Sequence, residues 1–232
     1  MKRIFAFISE NRKMTLFLLL FLIVGCVLAG MYFTLSNSVT GILRPEKVSV
    51  VIDAGHGGKD LGASFGERSE KDDNLRLALK VRDYLEEKNI SVSVTRTLDI
   101  YLSLESRCRF ANVRSADLFV SLHRNSIASG NAKGVEIWIG SENLPEDRAF
   151  AQSILDGLSK AGISENRGVK SGFAREGNDY YVNKHTDMMS CLVELGFITS
   201  ETDNKLYDEN LDVYAKAIAD AIEAQLNKTT AK

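Results

Sequence analysis

Two of the chain's three histidines and one oddly placed carboxylate hold its chemical interest. His56 follows the run Val48-Ser49-Val50-Val51-Ile52-Asp53-Ala54-Gly55, His123 follows Asp117-Leu118-Phe119-Val120-Ser121-Leu122, and Glu194 follows Ser190-Cys191-Leu192-Val193. Each run is short, largely apolar and bounded by turn residues, so each reads as a buried strand with a polar group at its exit. Imidazole nitrogen and carboxylate oxygen suit zinc, and a catalytic zinc site keeps a fourth position for water. A third ligand has to come from the glycine-rich stretch after the first run, where Glu67 and Glu70 both qualify by position. The remaining histidine, His185, lies in Lys184-His185-Thr186-Asp187 and reads as an exposed loop residue without a role.

Glu194 is costly to bury without a partner. One account is a salt bridge with Arg96 or Arg124. The other is a general base whose pKa burial raises and which works on a water activated by the metal. Together the parts make metal-assisted hydrolysis of an amide or ester. There is no Gly-x-Ser-x-Gly elbow and no phosphate loop of the Walker kind, and Gly55 to Gly58 does not match a dinucleotide fingerprint.

These side chains meet only if the three strands lie side by side and parallel, which brings their exits to one edge of an α/β sheet, where ligands gather. The rest of the chain supplies such a sheet. Leu75, Leu77, Leu79, Val81, Tyr84 and Leu85 follow a near-helical period, Asn89 ends that helix, and Ile90 to Thr95 alternates as a strand. Ser103 caps a helix to about Val113, Gly134 to Gly140 is a strand with one exposed face, and Pro145 opens a helix to about Lys160. Residues 162–184 form a long irregular stretch suited to substrate contact or gating. A short helix near Asp203–Tyr207 and a closing one from about Asn210 to Leu226 complete the chain. The expected fold is a single three-layer α/β domain with a largely parallel mixed sheet flanked by helices, over residues 47–228 with a tail at 229–232.

One N-terminal transmembrane helix is expected ahead of that domain. Met14 to Phe33 carries no charge, is long enough to span a bilayer, and follows Lys2, Arg3, Arg12 and Lys13. The chain then divides into a cytoplasmic basic segment (1–13), an anchor (14–35) and a polar tether (36–46), with the domain on the extracytoplasmic side. An uncleaved anchor is preferred over a lipid-modified Cys26, because Val27 to Leu35 stays apolar after either candidate processing site. The net charge is −2, and the +3 of residues 1–13 leaves −5 for the rest, so no basic face offers itself to nucleic acid. Cys108 and Cys191 are read as free buried thiols.

Five ordered stretches resemble the zinc-dependent N-acetylmuramoyl-L-alanine amidases: Val51 to Gly58, Glu70 to Leu75, Thr95-Arg96, Ser121 to Asn125, and Leu192 to Phe197. The similarity runs from about Val48 to Leu226. It implies one zinc ion on His56, Glu70 and His123, choosing Glu70 over Glu67, and Glu194 as catalytic base. It implies peptidoglycan as partner and substrate, cut at the amide between N-acetylmuramic acid and L-alanine. The membrane tether would hold such an enzyme near the wall. Ala54, Arg124 and Met189 depart from the usual pattern; Arg124 puts a cation beside the site, and with Arg96 and Asn125 it is expected to contact substrate. A zinc peptidase acting on stem peptides, or a non-catalytic peptidoglycan-binding domain, are the alternatives.

Overall fold

The computed structural model describes residues 20–31, 49–128, 131–172 and 179–230. The chain divides into two compact units, Met1–Pro45 and Glu46–Lys232. In chain order the second unit contains β1 (Val50–Ala54), β2 (Ser64–Phe65), β3 (Arg68–Ser69), α1 (Glu70–Glu87), β4 (Val92–Val94), α2 (Leu104–Asn112), β5 (Leu118–Asn125), β6 (Val135–Ile139), α3 (Pro145–Lys160), β7 (Asn166–Ser171), α4 (Tyr181–His185), β8 (Met189–Phe197) and α5 (Glu201–Thr230).

Six strands form one sheet in the order β4-β1-β5-β8-β6-β7. The first four are mutually parallel, β6 runs antiparallel to β8, and β7 is parallel to β6. The sheet is therefore mixed, and β1, β5 and β8 are direct parallel neighbours. Alternation along the strands gives each face its own core. Val50, Ile52, Val120, Leu122, Val193 and Ile137 point to the face covered by α1, α3 and α5. Val51, Phe119, Leu192 and Trp138 point to the other, which Cys108 and Ala111 of α2 and Val182 of α4 cover. Each fully buried aliphatic side chain stabilises the fold by roughly 1.5–3 kcal/mol relative to exposure. Cys191 belongs to the first core and Cys108 to the second. Lying on opposite faces of the sheet, both are free, as is Cys26.

Local chemistry accounts for the helix ends. The Ser103 hydroxyl accepts from the Ser106 N–H at the start of α2, and Pro145 occupies the first turn of α3, where its missing N–H costs nothing. The two helices expected near Asp203–Tyr207 and Asn210–Leu226 run as one, α5, with a kink at Asn210 (φ −121°, ψ 16°).

Three expectations are corrected. The described part of residues 162–184 holds regular structure, β7 and most of α4, and residues 173–178 lie outside the described residues. The strand Gly134–Gly140 has no exposed face, because every residue of β6 is buried, Glu136 and Trp138 included; β7 and the side chains reaching from it cover what alternation marked as solvent-facing. The glycine-rich loop after β1 contains a small hairpin, β2–β3. Of the anchor expected at 14–35, only residues 20–31 are described, as an exposed helix, and the remainder lies outside the described residues. Among the described residues no helix is long and apolar enough to cross a membrane.

Candidate active site

His56 lies two residues past β1 with φ 59°, a left-handed conformation that costs a non-glycine residue about 1–2 kcal/mol. Arg107 on α2 holds it there. Its guanidinium donates to the His56 carbonyl (2.7 Å), the Ala54 carbonyl (2.7 Å) and Asp53 Oδ1 (2.8 Å). Asp53, fully buried, also accepts from the hydroxyls of Thr95 and Ser121, each at 2.7 Å. Burial alone would raise the Asp53 pKa, but Arg107 and the two hydroxyls outweigh it and hold the carboxyl below its ordinary value. One buried carboxylate thus joins β1, β5, α2 and the residue after β4 directly behind the His56 loop.

Glu70 opens α1 and His123 comes near the end of β5. The donor atoms of His56, Glu70 and His123 all lie within 4.8 Å of one another. Glu70 Oε1 is 3.2 Å from His56 Nε2 and 2.8 Å from His123 Nδ1, and the two imidazole rings meet edge-on at 4.9 Å. A tetrahedral zinc ion with bonds near 2.1 Å spaces its ligand atoms roughly 3.4 Å apart, so the donor set fits one ion with small shifts. Glu67 is exposed in the β2–β3 turn and takes no part.

The loop is shaped around this cluster. A Cβ on Gly55 would collide with the His123 ring, and one on Gly62 (φ 65°) would sit 2.6 Å from both Glu70 Oε2 and His56 Cδ2. Asp60 accepts from His56 Nδ1 (2.9 Å), which leaves Nε2, facing Glu70, as the nitrogen whose lone pair can bind a metal. Burial disfavours the His56 imidazolium, but Glu70 and Asp60 outweigh it and lift its pKa to about 9. Burial likewise opposes the Glu70 anion, and the two imidazoles overcome it, holding the carboxyl well below its ordinary value. An anion clasped by two imidazoles is what a dication completes, taking the place of their protons.

Glu194 is the register partner of His123 on one side and of Glu136 on the other. It is 7% exposed, and its Oε2 has no hydrogen-bond partner. Burial, reinforced by the charges of Glu70 and Glu136, pushes its pKa well above the ordinary value. A buried carboxyl of this kind accepts a proton readily beside a cluster built to hold a cation.

Glu194 forms no salt bridge with Arg96 or Arg124, and both arginines, expected to contact substrate, are buried in contacts of their own. Arg96 is 2% exposed and clamps the loop carbonyls of Ala54 (2.9 Å), Gly55 (2.9 Å) and Lys71 (2.7 Å). Arg124 alternates away from His123 to the opposite face, where its guanidinium pairs with Asp73, is closed off from solvent and lies 4.5 Å from the Tyr207 ring centre. Asn125 stays on the site face but donates to Glu136 Oε1 at 2.9 Å. Three neighbours went unread in the sequence: Asp60, Glu136 and Tyr180. The Tyr180 ring lies 5.6 Å from that of Trp138 and tilted at 59° to it, and burial together with the charges of Glu194, Glu136 and Glu70 pushes its hydroxyl pKa up. An acid four residues after His56 was the one legible signal among them.

A cavity of about 100 Å³ opens beside His56 and His123, bounded by Asp60, Tyr101 and Tyr181. A larger one, about 540 Å³, lies near Gly140 and Ser190 and contains none of the cluster.

Residues 50–224 match the family model of the N-acetylmuramoyl-L-alanine amidases (Amidase_3). The chain belongs to that family. All the residues of the cluster fall within the matched span, and the amidase assignment makes the chain an enzyme. Among its relatives, the Bacillus subtilis protein YqiI, described as uncharacterized, is 38% identical over 197 residues, 84% of this chain and 91% of that one. The probable cell wall amidase LytH of Staphylococcus aureus is 33% identical over 179 residues, 75% of this chain and 57% of LytH. The amidase also resembles the crystal structure of an N-acetylmuramoyl-L-alanine amidase from Clostridium difficile 630, with TM-score 0.71 and 32% identity over 78% of this chain and 98% of that one.

Proposed function

We propose that this amidase uses one zinc ion to hydrolyse the amide between the lactyl group of N-acetylmuramic acid and the L-alanine of the peptidoglycan stem peptide. The observation that carries the reading is a buried carboxylate, Glu194, whose Oε2 has no hydrogen-bond partner, set beside three converging donors, His56, Glu70 and His123. Those three residues would hold the ion, with Asp60 fixing the His56 tautomer. When bound, zinc polarises a carbonyl and lowers the pKa of water to about 7. Glu194, with its raised proton affinity, takes the proton from the attacking water and returns it to the departing alanine nitrogen. The burial of Glu194 excludes bulk water from that transfer.

The test is digestion of purified peptidoglycan with the zinc-loaded chain, followed by mass analysis of the new ends. A free L-alanine amine is expected. A glycan reducing end, or an internal peptide cut of the kind a zinc peptidase makes, overturns the reading.

We also propose that segment 14–35 anchors the amidase in a cell membrane, with the amino terminus cytoplasmic and the catalytic unit outside. The uncharged stretch Met14 to Phe33 and the flanking Lys2, Arg3, Arg12 and Lys13 support this. Protease added to intact spheroplasts should degrade the catalytic unit; full protection would overturn the orientation.

A further inference from the structure

The face of the sheet that carries His123 and Glu194 continues past them. Glu136 is the register partner of Glu194 on β6, and Lys170 on β7 is the partner of Trp138. Glu136 is buried, and its Oε2 accepts from two cations, Arg167 Nε at 2.9 Å and Lys170 Nζ at 2.6 Å. Its Oε1 is occupied by Asn125 (2.9 Å) and Trp138 Nε1 (3.1 Å). One carboxylate therefore faces two cations.

A purely structural pair would need only one. The Glu136 side chain is 4% exposed, whereas those of Arg167 and Lys170 are 29% and 35% exposed. Lys170 uses one of its three N–H donors on Glu136 and rests 5.2 Å from the centre of the Trp138 ring. Arg167 Nη1 reaches the Lys133 carbonyl at 3.3 Å, and Glu165, half exposed, approaches it only at 3.9 Å. Donor capacity and positive charge thus remain partly exposed while the anion that orders them stays buried.

The position suits one group. Neighbouring strands lie about 4.8 Å apart, so β7 runs roughly 10 Å from β8, and the two cations reach back from it over β6 to Glu136, the neighbour of Glu194. Consecutive Cα atoms of a peptide are about 3.8 Å apart. A carboxylate on the residue after the alanine of the scissile amide falls within that reach.

We propose that Arg167 and Lys170 form a subsite for the carboxylate of the second stem residue, which deepens the amidase reading and rests on it. In peptidoglycan that residue is a glutamate joined through its γ-carboxyl, with its α-carboxyl either free or amidated. The subsite makes this amidase select the free acid. Arg167 and Lys170 are specificity residues; Glu136 positions them.

The test uses the full-length zinc-loaded chain and two matched muropeptides that differ only in the α-carboxylate or α-amide of the second stem residue. The wild type should favour the acid by roughly tenfold in kcat/KM, mainly through KM. Arg167→Gln and Lys170→Gln should each narrow that ratio toward one, and Arg167→Lys and Lys170→Arg should largely restore it. In parallel, calorimetry should show L-alanyl-D-glutamate with its γ-carboxyl blocked as the amide binding the Glu194→Gln protein more tightly than the same dipeptide amidated at both carboxyls. Equal turnover of the two muropeptides by the wild type, or glutamine variants that keep the full ratio, overturns the subsite and leaves the amidase reading standing. Release of no alanine amine from either muropeptide overturns the amidase reading itself.

Discussion

His123 and Glu194 are register partners on adjacent parallel strands, yet their side chains meet opposite surroundings. The imidazole of His123 lies 2.8 Å from the Glu70 carboxylate, which suits it to share a cation. Glu194 faces the negative charges of Glu70 and Glu136, and its Oε2 has no donor, so burial and repulsion both favour its protonated form. One strand spacing separates a group suited to hold a metal from a group suited to exchange a proton, and the parallel pairing of β5 and β8 fixes that separation.

This separation predicts a split between binding and turnover. Glu194→Gln should retain one zinc per chain, measured by elemental analysis, while kcat falls by about 10²–10⁴, the range of a lost general acid–base group. His56→Ala should lose both. A Glu194→Gln protein that stays fully active would remove the carboxylate from the mechanism.

Asp60 should matter mainly through His56, its other carboxylate oxygen accepting from the Gly62 N–H at 3.1 Å. The 2.9 Å bond to Nδ1 sets which nitrogen faces the cluster. Asp60→Ala should weaken zinc affinity by roughly 10–100-fold in a chelator competition, the usual cost of losing such a partner. At saturating zinc, kcat should return to within a few-fold of wild type. An unchanged affinity would show that loop geometry orients the ring without Asp60.

Much of this site was legible because three apolar strand runs each end near a polar residue, and that signal is local. The rest depends on contacts distant in sequence. Glu136 sits in an alternating segment whose polar positions looked solvated, and only Arg167 and Lys170, over thirty residues later, cover it. β7 itself was hidden because Asn166-Arg167-Gly168-Val169-Lys170-Ser171 has a single large apolar residue, as an edge strand allows. Asp60 acquires its role from a turn closed by paired hydrogen bonds between Gly57 and Asp60 (2.9 and 3.1 Å). Arg124 is turned away from His123 by the period of the strand, a placement already legible in the sequence.

Asp53 gives the fold a defined acid dependence. Its pKa is lowered in the folded state, so its stabilisation is present above the unfolded carboxyl's pKa and is lost as pH falls through the folded value. Asp53→Asn leaves Arg107 buried without its anion and should cost about 3–5 kcal/mol at pH 7. The gap in Tm between variant and wild type should be widest at neutral pH and should narrow below about pH 4, where the carboxyl of the unfolded wild-type chain begins to take up its proton while the folded one still holds its charge. A gap that is constant from pH 7 to pH 2.5 would show that the carboxylate's charge contributes nothing and that shape alone accounts for the loss.

Arg124 offers the sharpest contrast between position in sequence and role in the fold. It follows a candidate ligand directly, but its side chain has no exposure and its guanidinium joins Asp73 to Asn204, whose Oδ1 accepts at 2.7 Å. Asp73 lies on α1 and Asn204 on α5, so the arginine pins two helices to the underside of β5. Arg124→Met keeps most of the apolar stem but strands the Asp73 carboxylate, which retains Arg68 at 2.7 Å. That remaining partner should hold the loss to about 2–4 kcal/mol, near the lower bound for a broken buried pair. Denaturant unfolding should show this loss while KM for peptidoglycan fragments stays within twofold of wild type. A KM raised tenfold with stability intact would return Arg124 to the substrate.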